Sequence, residues 1–173
     1  MAIFVYHRRV VFIGAVRSLL VVVAAGLLSG CGGHVSVGDP MPDAPVRNLD
    51  GQPSRLAVLR GRPVWLNFYE TWCPPCQAEM PAIEREYAAN AGRGLVVVGV
   101  DLFETSDDAR AFADGRGLTF PVVVGGHKAY DAYGINGIPT SVFVDSSGVV
   151  RAVFTGEMRG DEMDQAIKAI LNR

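Results

Sequence analysis

Two thiols separated by two residues, Cys73-Pro74-Pro75-Cys76, are the side chains of this sequence best suited to covalent chemistry. The thiolate is the reactive form of cysteine, and this spacing lets the second thiol reach the first and close a small disulfide ring. The same spacing can serve as half of a structural zinc site, which normally needs two further Cys or His ligands. Cys31, His7, His34 and His127 are the remaining candidates, and none has paired spacing. A thiol peroxidase calls for a Pro-x-x-x-Thr-x-x-Cys run, and no cysteine here stands in one. Thiol–disulfide exchange is the chemistry that the pair favours.

Such a pair must be held at a defined place, and the flanking residues supply one. Residues 64–69, Val-Trp-Leu-Asn-Phe-Tyr, form an almost continuous apolar run that reads as a buried central strand. Pro74 and Pro75 can open a helix, because the first turn has no intrahelical partners for its N–H groups. Cys73 is thereby placed at a helix N-terminus, where the dipole and free N–H groups stabilise a thiolate. Cys76, Met80, Ile83 and Tyr87 recur at helical spacing, which predicts a buried face, and Pro81 predicts a kink.

Further elements surround this junction. A short hairpin is expected from 46–49 and 54–58, a second buried strand over 95–100 with Asp101 at its end, and a helix over 107–114 capped by Ser106. A strand over 120–124 and a helical turn over 128–133 follow. Residues 140–145 and 149–155 make a hairpin through Ser146-Ser147-Gly148, and an amphipathic helix over 161–171 turns Met163, Ile167, Ile170 and Leu171 to one side. The pattern is α/β: a mixed central sheet flanked by helices on both faces.

Length and composition agree with one globular domain, since 173 residues with 49% apolar and 20% charged side chains fit neither a disordered chain nor a multi-pass membrane protein. Only Arg8, Arg9 and Arg17 carry charge in the first 30 residues, so residues 31–173 hold the other 13 basic groups against all 18 acids, or −5. A nucleic-acid partner, which needs a basic face, is not expected.

Residues 1–30 have a basic beginning, an apolar run over 19–28, and Ser29-Gly30 directly before Cys31, the order of a secretory signal. Arg17 in the middle of 10–28 argues against a transmembrane anchor. Leu28-Ser29-Gly30-Cys31 resembles the bacterial lipobox, which makes Cys31 the residue that carries lipid and begins the mature chain. Residues 31–42, rich in Gly and Pro and containing His34, read as a flexible tether, and 43–173 as the folded domain.

The runs Asn67-Phe68-Tyr69-Glu70-Thr71-Trp72-Cys73-Pro74-Pro75-Cys76-Gln77-Ala78-Glu79-Met80-Pro81 and Gly137-Ile138-Pro139-Thr140 resemble the thioredoxin superfamily. They are most similar to its TlpA/ResA-like, membrane-tethered thiol–disulfide oxidoreductases, and the resemblance extends over roughly 37–173. It implies a thioredoxin-like fold with an N-terminal hairpin and an inserted strand–helix unit within 95–117. It also implies a cis peptide at Ile138-Pro139, which with Trp72 would form the surface that meets a bound polypeptide. Asn67 stands where cytoplasmic thioredoxins carry a buried Asp. Glu79 matches an acid placed close to the active site, where it would receive the Cys76 proton, and a solvated helix-face Glu is the alternative reading. Glu70 reads as an exposed loop acid, and Trp65 and Tyr69 as core.

The activity implied is attack by Cys73 on a disulfide of an exported protein, with Cys76 resolving the mixed disulfide. No cofactor or metal is expected beyond the redox-active Cys73–Cys76 pair. The partners implied are exported proteins with disulfides, apocytochrome c in cytochrome c maturation among them, a membrane thiol electron donor, and the bacterial cell membrane through the lipid anchor. A lipid-anchored polypeptide-binding holdase without redox turnover is the competing class.

Overall fold

The computed structural model describes residues 33–172. The expected signal segment and Cys31 lie outside them. Seven strands form one sheet: β1 (Pro45–Asn48), β2 (Pro53–Arg55), β3 (Val64–Tyr69), β4 (Val96–Asp101), β5 (Val122–Val124), β6 (Thr140–Val144) and β7 (Val150–Thr155). Their spatial order is β2-β1-β5-β4-β3-β6-β7. β3, β4 and β5 run parallel, while the strands outside them pair antiparallel. Four helices accompany the sheet: α1 (Pro74–Asn90), α2 (Ser106–Gly115), α3 (Gly126–Tyr133) and α4 (Gly160–Leu171).

The two central strands explain the apolar runs. All six residues of β3 and all six of β4 are buried, as both faces of a parallel strand must be when helices cover the sheet. Leu66 and Phe68 of β3 join Val96, Val98 and Val100 of β4 under Ala129 and Tyr133 of α3. Trp65 and Tyr69 point the other way, into a second cluster with Met80 and Ile83 of α1 and Met163, Ile167 and Ile170 of α4. The segment read as an inserted strand and helix supplies β4 and α2. α2 then leads into β5, which joins β4 to the N-terminal hairpin.

Several expectations need correction. The second arm of the first hairpin ends at Arg55, and Leu56–Leu59 form a 3-10 turn that buries Leu56. The cap of α2 is Thr105 rather than Ser106, with its hydroxyl accepting the Asp108 N–H at 3.2 Å. The tether is shorter than its composition suggests, because the chain is docked from Val35 onward. Val35 and Met41 are buried, Val35 N–H donates to the Tyr133 carbonyl at 3.1 Å, and Met41 N–H donates to the Gly148 carbonyl at 2.8 Å. The Tyr133 hydroxyl donates to the Pro42 carbonyl at 2.7 Å. Two apolar side chains and several backbone bonds outweigh the flexibility of the Gly and Pro residues around them. His34 stays exposed, its ring nitrogen against the Gly134 carbonyl. Gly134 ends α3 at φ +60°, and a Cβ there would lie 2.6 Å from the His34 Cα, so both the turn and the docked chain need a glycine.

Candidate active site

The loop from β3 to α1 delivers the cysteine pair. Cys73 is the N-cap of α1 with extended backbone, and its Sγ accepts the Cys76 N–H at 3.3 Å. Pro74 and Pro75 occupy the first helical positions and have no N–H to give, so Cys76 offers the first backbone donor of the helix. The two cysteines are joined by a disulfide, with Cα atoms 5.2 Å apart. Cys76 is fully buried, while Cys73 keeps 3% exposure at the helix mouth. In the oxidised pair neither sulfur is free to ligate a metal. His127, one candidate partner for zinc, lies against the Phe103 ring, tilted at 46° with 4.7 Å between ring centroids.

Two surfaces frame the disulfide. Trp72 is 68% exposed, the outward-facing side chain expected beside Cys73. The Ile138-Pro139 bond is cis, and Ile138 packs against the cluster that holds both cysteines. A groove of about 220 Å³ runs between them, lined by Glu70, Trp72, Phe103, Tyr130, Asn136 and Ile138 among others. Its walls are largely apolar, as a surface for an extended polypeptide requires.

Glu79 lies one helical turn beyond Cys76 on the same face of α1 and is buried, not solvated. Its Oε1 accepts from Asn67 Nδ2 at 2.7 Å, and its Oε2 accepts from Met158 N–H at 3.1 Å. Burial pushes its pKa up to about 7, outweighing those two donors, with a smaller push from Glu157. Asn67 also donates to Ser141 Oγ at 3.1 Å, and Trp65 Nε1 donates to the same oxygen at 2.9 Å. An amide here fixes the carboxyl without adding a second charge. The geometry thus holds an acid with a raised pKa one helical turn behind Cys76.

Glu70 departs from its expected place. It is 2% exposed, and burial followed by repulsion from Glu104 pushes its carboxyl up to about 7. Asp101, at the end of β4, is fully buried, and its carboxyl is pushed well above the ordinary carboxylate range, first by burial and then by its contact with Glu104. These acids lie far apart in sequence and converge only through the β3–β4 register, which pairs Tyr69 with Asp101. The single hint available earlier was an acid closing an otherwise apolar strand.

The helix-capping dithiol, the cis-proline loop and the layered sheet together define a thioredoxin-like thiol–disulfide oxidoreductase. The family model that matches, over residues 37–153, is that of the AhpC/TSA family. Among curated relatives, the thiol-disulfide oxidoreductase ResA of Geobacillus thermodenitrificans is 35% identical over 137 residues, covering 79% of each chain. The thioredoxin-like protein YneN of Bacillus subtilis is 36% identical over 137 residues, covering 77% of this chain and 79% of its own. A crystal structure of a thioredoxin-family thiol:disulfide interchange protein from Chlorobium tepidum matches with TM-score 0.69 and 30% identity, over 79% of this chain and 99% of that one. The chain belongs to the AhpC/TSA family, within its ResA-like thiol–disulfide oxidoreductases.

Proposed function

We propose that the protein reduces disulfides of exported proteins outside the cytoplasm, held to the cell membrane by lipid on Cys31. The observation that carries this reading is Cys73 at the mouth of α1, its sulfur capping the helix beside the groove between Trp72 and Ile138. A secreted disulfide oxidoreductase of Mycobacterium tuberculosis, homologous to DsbE of E. coli, shares the fold at TM-score 0.65 and 26% identity over 72% of this chain and 94% of that one, which supports an extracytoplasmic site. No helix of the described residues is long and apolar enough to cross a membrane.

In the reduced enzyme the Cys73 thiolate attacks one sulfur of the client disulfide. A mixed disulfide forms, and the other client sulfur leaves as thiolate. Cys76 then gives its proton to Glu79 and attacks Cys73 Sγ, closing the Cys73–Cys76 disulfide and releasing the client as a dithiol. Two electrons pass to the client, and a membrane thiol donor must return them before the next cycle. Trp72, Ile138 and Pro139 form the surface on which the client backbone rests. Apocytochrome c, whose cysteines must be reduced before haem attachment, is one client that fits the chemistry.

The missing proline N–H groups limit stabilisation of the Cys73 thiolate, which favours a reductant over a strong oxidant. Equilibration with glutathione tests the direction. A potential toward −270 mV supports a reductant, and one near −120 mV refutes it, about 30 mV being a tenfold change for two electrons. Insulin reduction tests turnover: absence of activity with polypeptide binding retained would favour a holdase.

A further inference from the structure

Three acidic side chains meet beside the disulfide with nothing basic to balance them. Glu70 lies in the loop before Cys73, Asp101 ends β4, and Glu104 stands in the turn before α2. One carboxylate oxygen from each lies within 4.8 Å of the other two. Neither Glu70 oxygen makes a hydrogen bond of good geometry, although the Phe103 N–H and the Trp72 side chain come near enough to offset part of the upward push on its carboxyl, and Asp101 Oδ2, beside Glu104, likewise lacks a well-formed bond. Tyr69 adds an observation from outside the cluster. Its hydroxyl is buried and unpartnered, and the negative field of Asp101, Glu104 and Glu70 adds to burial in holding its proton on. No salt bridge among the described residues reaches any of the three carboxyls. Buried carboxylates without partners keep their protons or acquire a cation.

We propose that Glu70, Asp101 and Glu104 form a binding site for a hard divalent cation of the calcium type. The donor set is oxygen only, which suits calcium, magnesium or manganese and gives softer ions no nitrogen or sulfur. Calcium accepts irregular sets of oxygens at about 2.3–2.6 Å, and three carboxyls drawn from separate elements with oxygens within 4.8 Å of one another suit it better than magnesium, which demands near-ideal octahedral geometry at about 2.0–2.1 Å. The carboxylates are already oriented. Thr71 N–H donates to Glu104 Oε2 at 3.2 Å, the Thr71 hydroxyl binds Glu104 Oε1, and Glu104 N–H donates to Asp101 Oδ1 at 3.0 Å. These are the supports that outer donors give to ligands in metal sites. Entry is open on one side, because Glu70 lines the groove and Glu104 is only partly buried.

Calorimetric titration of the chelator-treated full chain in detergent, with calcium chloride and magnesium chloride in parallel, tests the site. One calcium per chain is expected, with a Kd of about 10⁻⁴ to 10⁻³ M as in extracellular modules, weaker binding of magnesium, and a higher thermal midpoint in calcium. Glu104→Gln and Glu70→Gln should each weaken calcium at least about tenfold, since loss of an outer-shell support alone costs that much. Both variants should unfold cooperatively in chelator, which separates lost binding from lost fold. No saturable calcium binding by the parent, or an unchanged Kd in both variants, would show a cluster that merely keeps its protons. Tighter binding of magnesium than calcium would overturn the choice of ion.

Discussion

Glu79→Gln in the oxidised protein isolates the buried carboxyl behind Cys76. The fold raises this group from its ordinary 4.5 to about 7, so the native state holds a proton that the unfolded chain releases over that window. Stability from this group is therefore full below about pH 4.5 and is lost as pH rises through 7. A difference of this size corresponds to roughly 3 kcal/mol, taking about 1.36 kcal/mol per tenfold change. Gln cannot titrate, and because Asn67 and Met158 donate to different oxygens of Glu79, the Gln NH2 would replace one acceptor and face a donor, which adds a pH-independent cost of about 1 to 3 kcal/mol. Urea unfolding of both proteins from pH 4.5 to 8 measures the effect, because every other carboxyl is common to the pair. The advantage of the parent should shrink by roughly 3 kcal/mol between pH 4.5 and 7 and change little above 8. Parallel stability curves would refute the assignment of a raised pKa to Glu79 and, with it, the argument for a proton acceptor at Cys76.

Other perturbations separate the remaining roles. Cys76→Ser should accumulate mixed disulfides through Cys73, seen as a band lost on reduction in non-reducing gels, and trapping by Cys73→Ser instead would reverse the two roles. Cys31→Ser should release the protein from membranes or block its processing while reduction of insulin continues, and membrane retention with normal cleavage before residue 31 would reject lipidation. Asp145→Asn should cost roughly 2 to 3 kcal/mol at pH 7, measured by urea unfolding, because the carboxylate accepts from Ser147, Val149 and Arg151 in the β6–β7 turn. Although burial pushes Asp145 up, those donors hold it at about 2, so its contribution is present above its ordinary 3.8 and lost as pH falls through 2.

Elements with a strong internal pattern were legible in the residues alone. The runs over β3 and β4 announce strands covered on both faces, and Met163, Ile167 and Ile170 announce the buried side of α4. The cysteine pair was legible because its chemistry depends on local spacing and a helix start. Burial of the acids was not. Glu79 fits a solvated helix face equally well until Asn67 and Met158 are known to donate to it. Glu70 is buried by residues more than thirty positions away, and no local pattern records that. Docking of Val35 and Met41 was hidden for a related reason, since Gly and Pro signal freedom of the backbone and not the surfaces it finds.

The docked N-terminal strap also sets how far the enzyme can wander. Only four residue steps separate Cys31 from Val35, where the chain is first fastened to the domain, and at about 3.5 Å per residue they span at most roughly 14 Å. With lipid on Cys31, the domain is leashed within less than half a bilayer's thickness of the headgroups, too short for a search through the surrounding space. The leash leaves the domain near Ile135 and Asn136, residues that also border the groove beside the disulfide. Under the proposed anchoring, the reactive face would be kept low over the membrane, within reach of the proposed membrane donor and of clients emerging there.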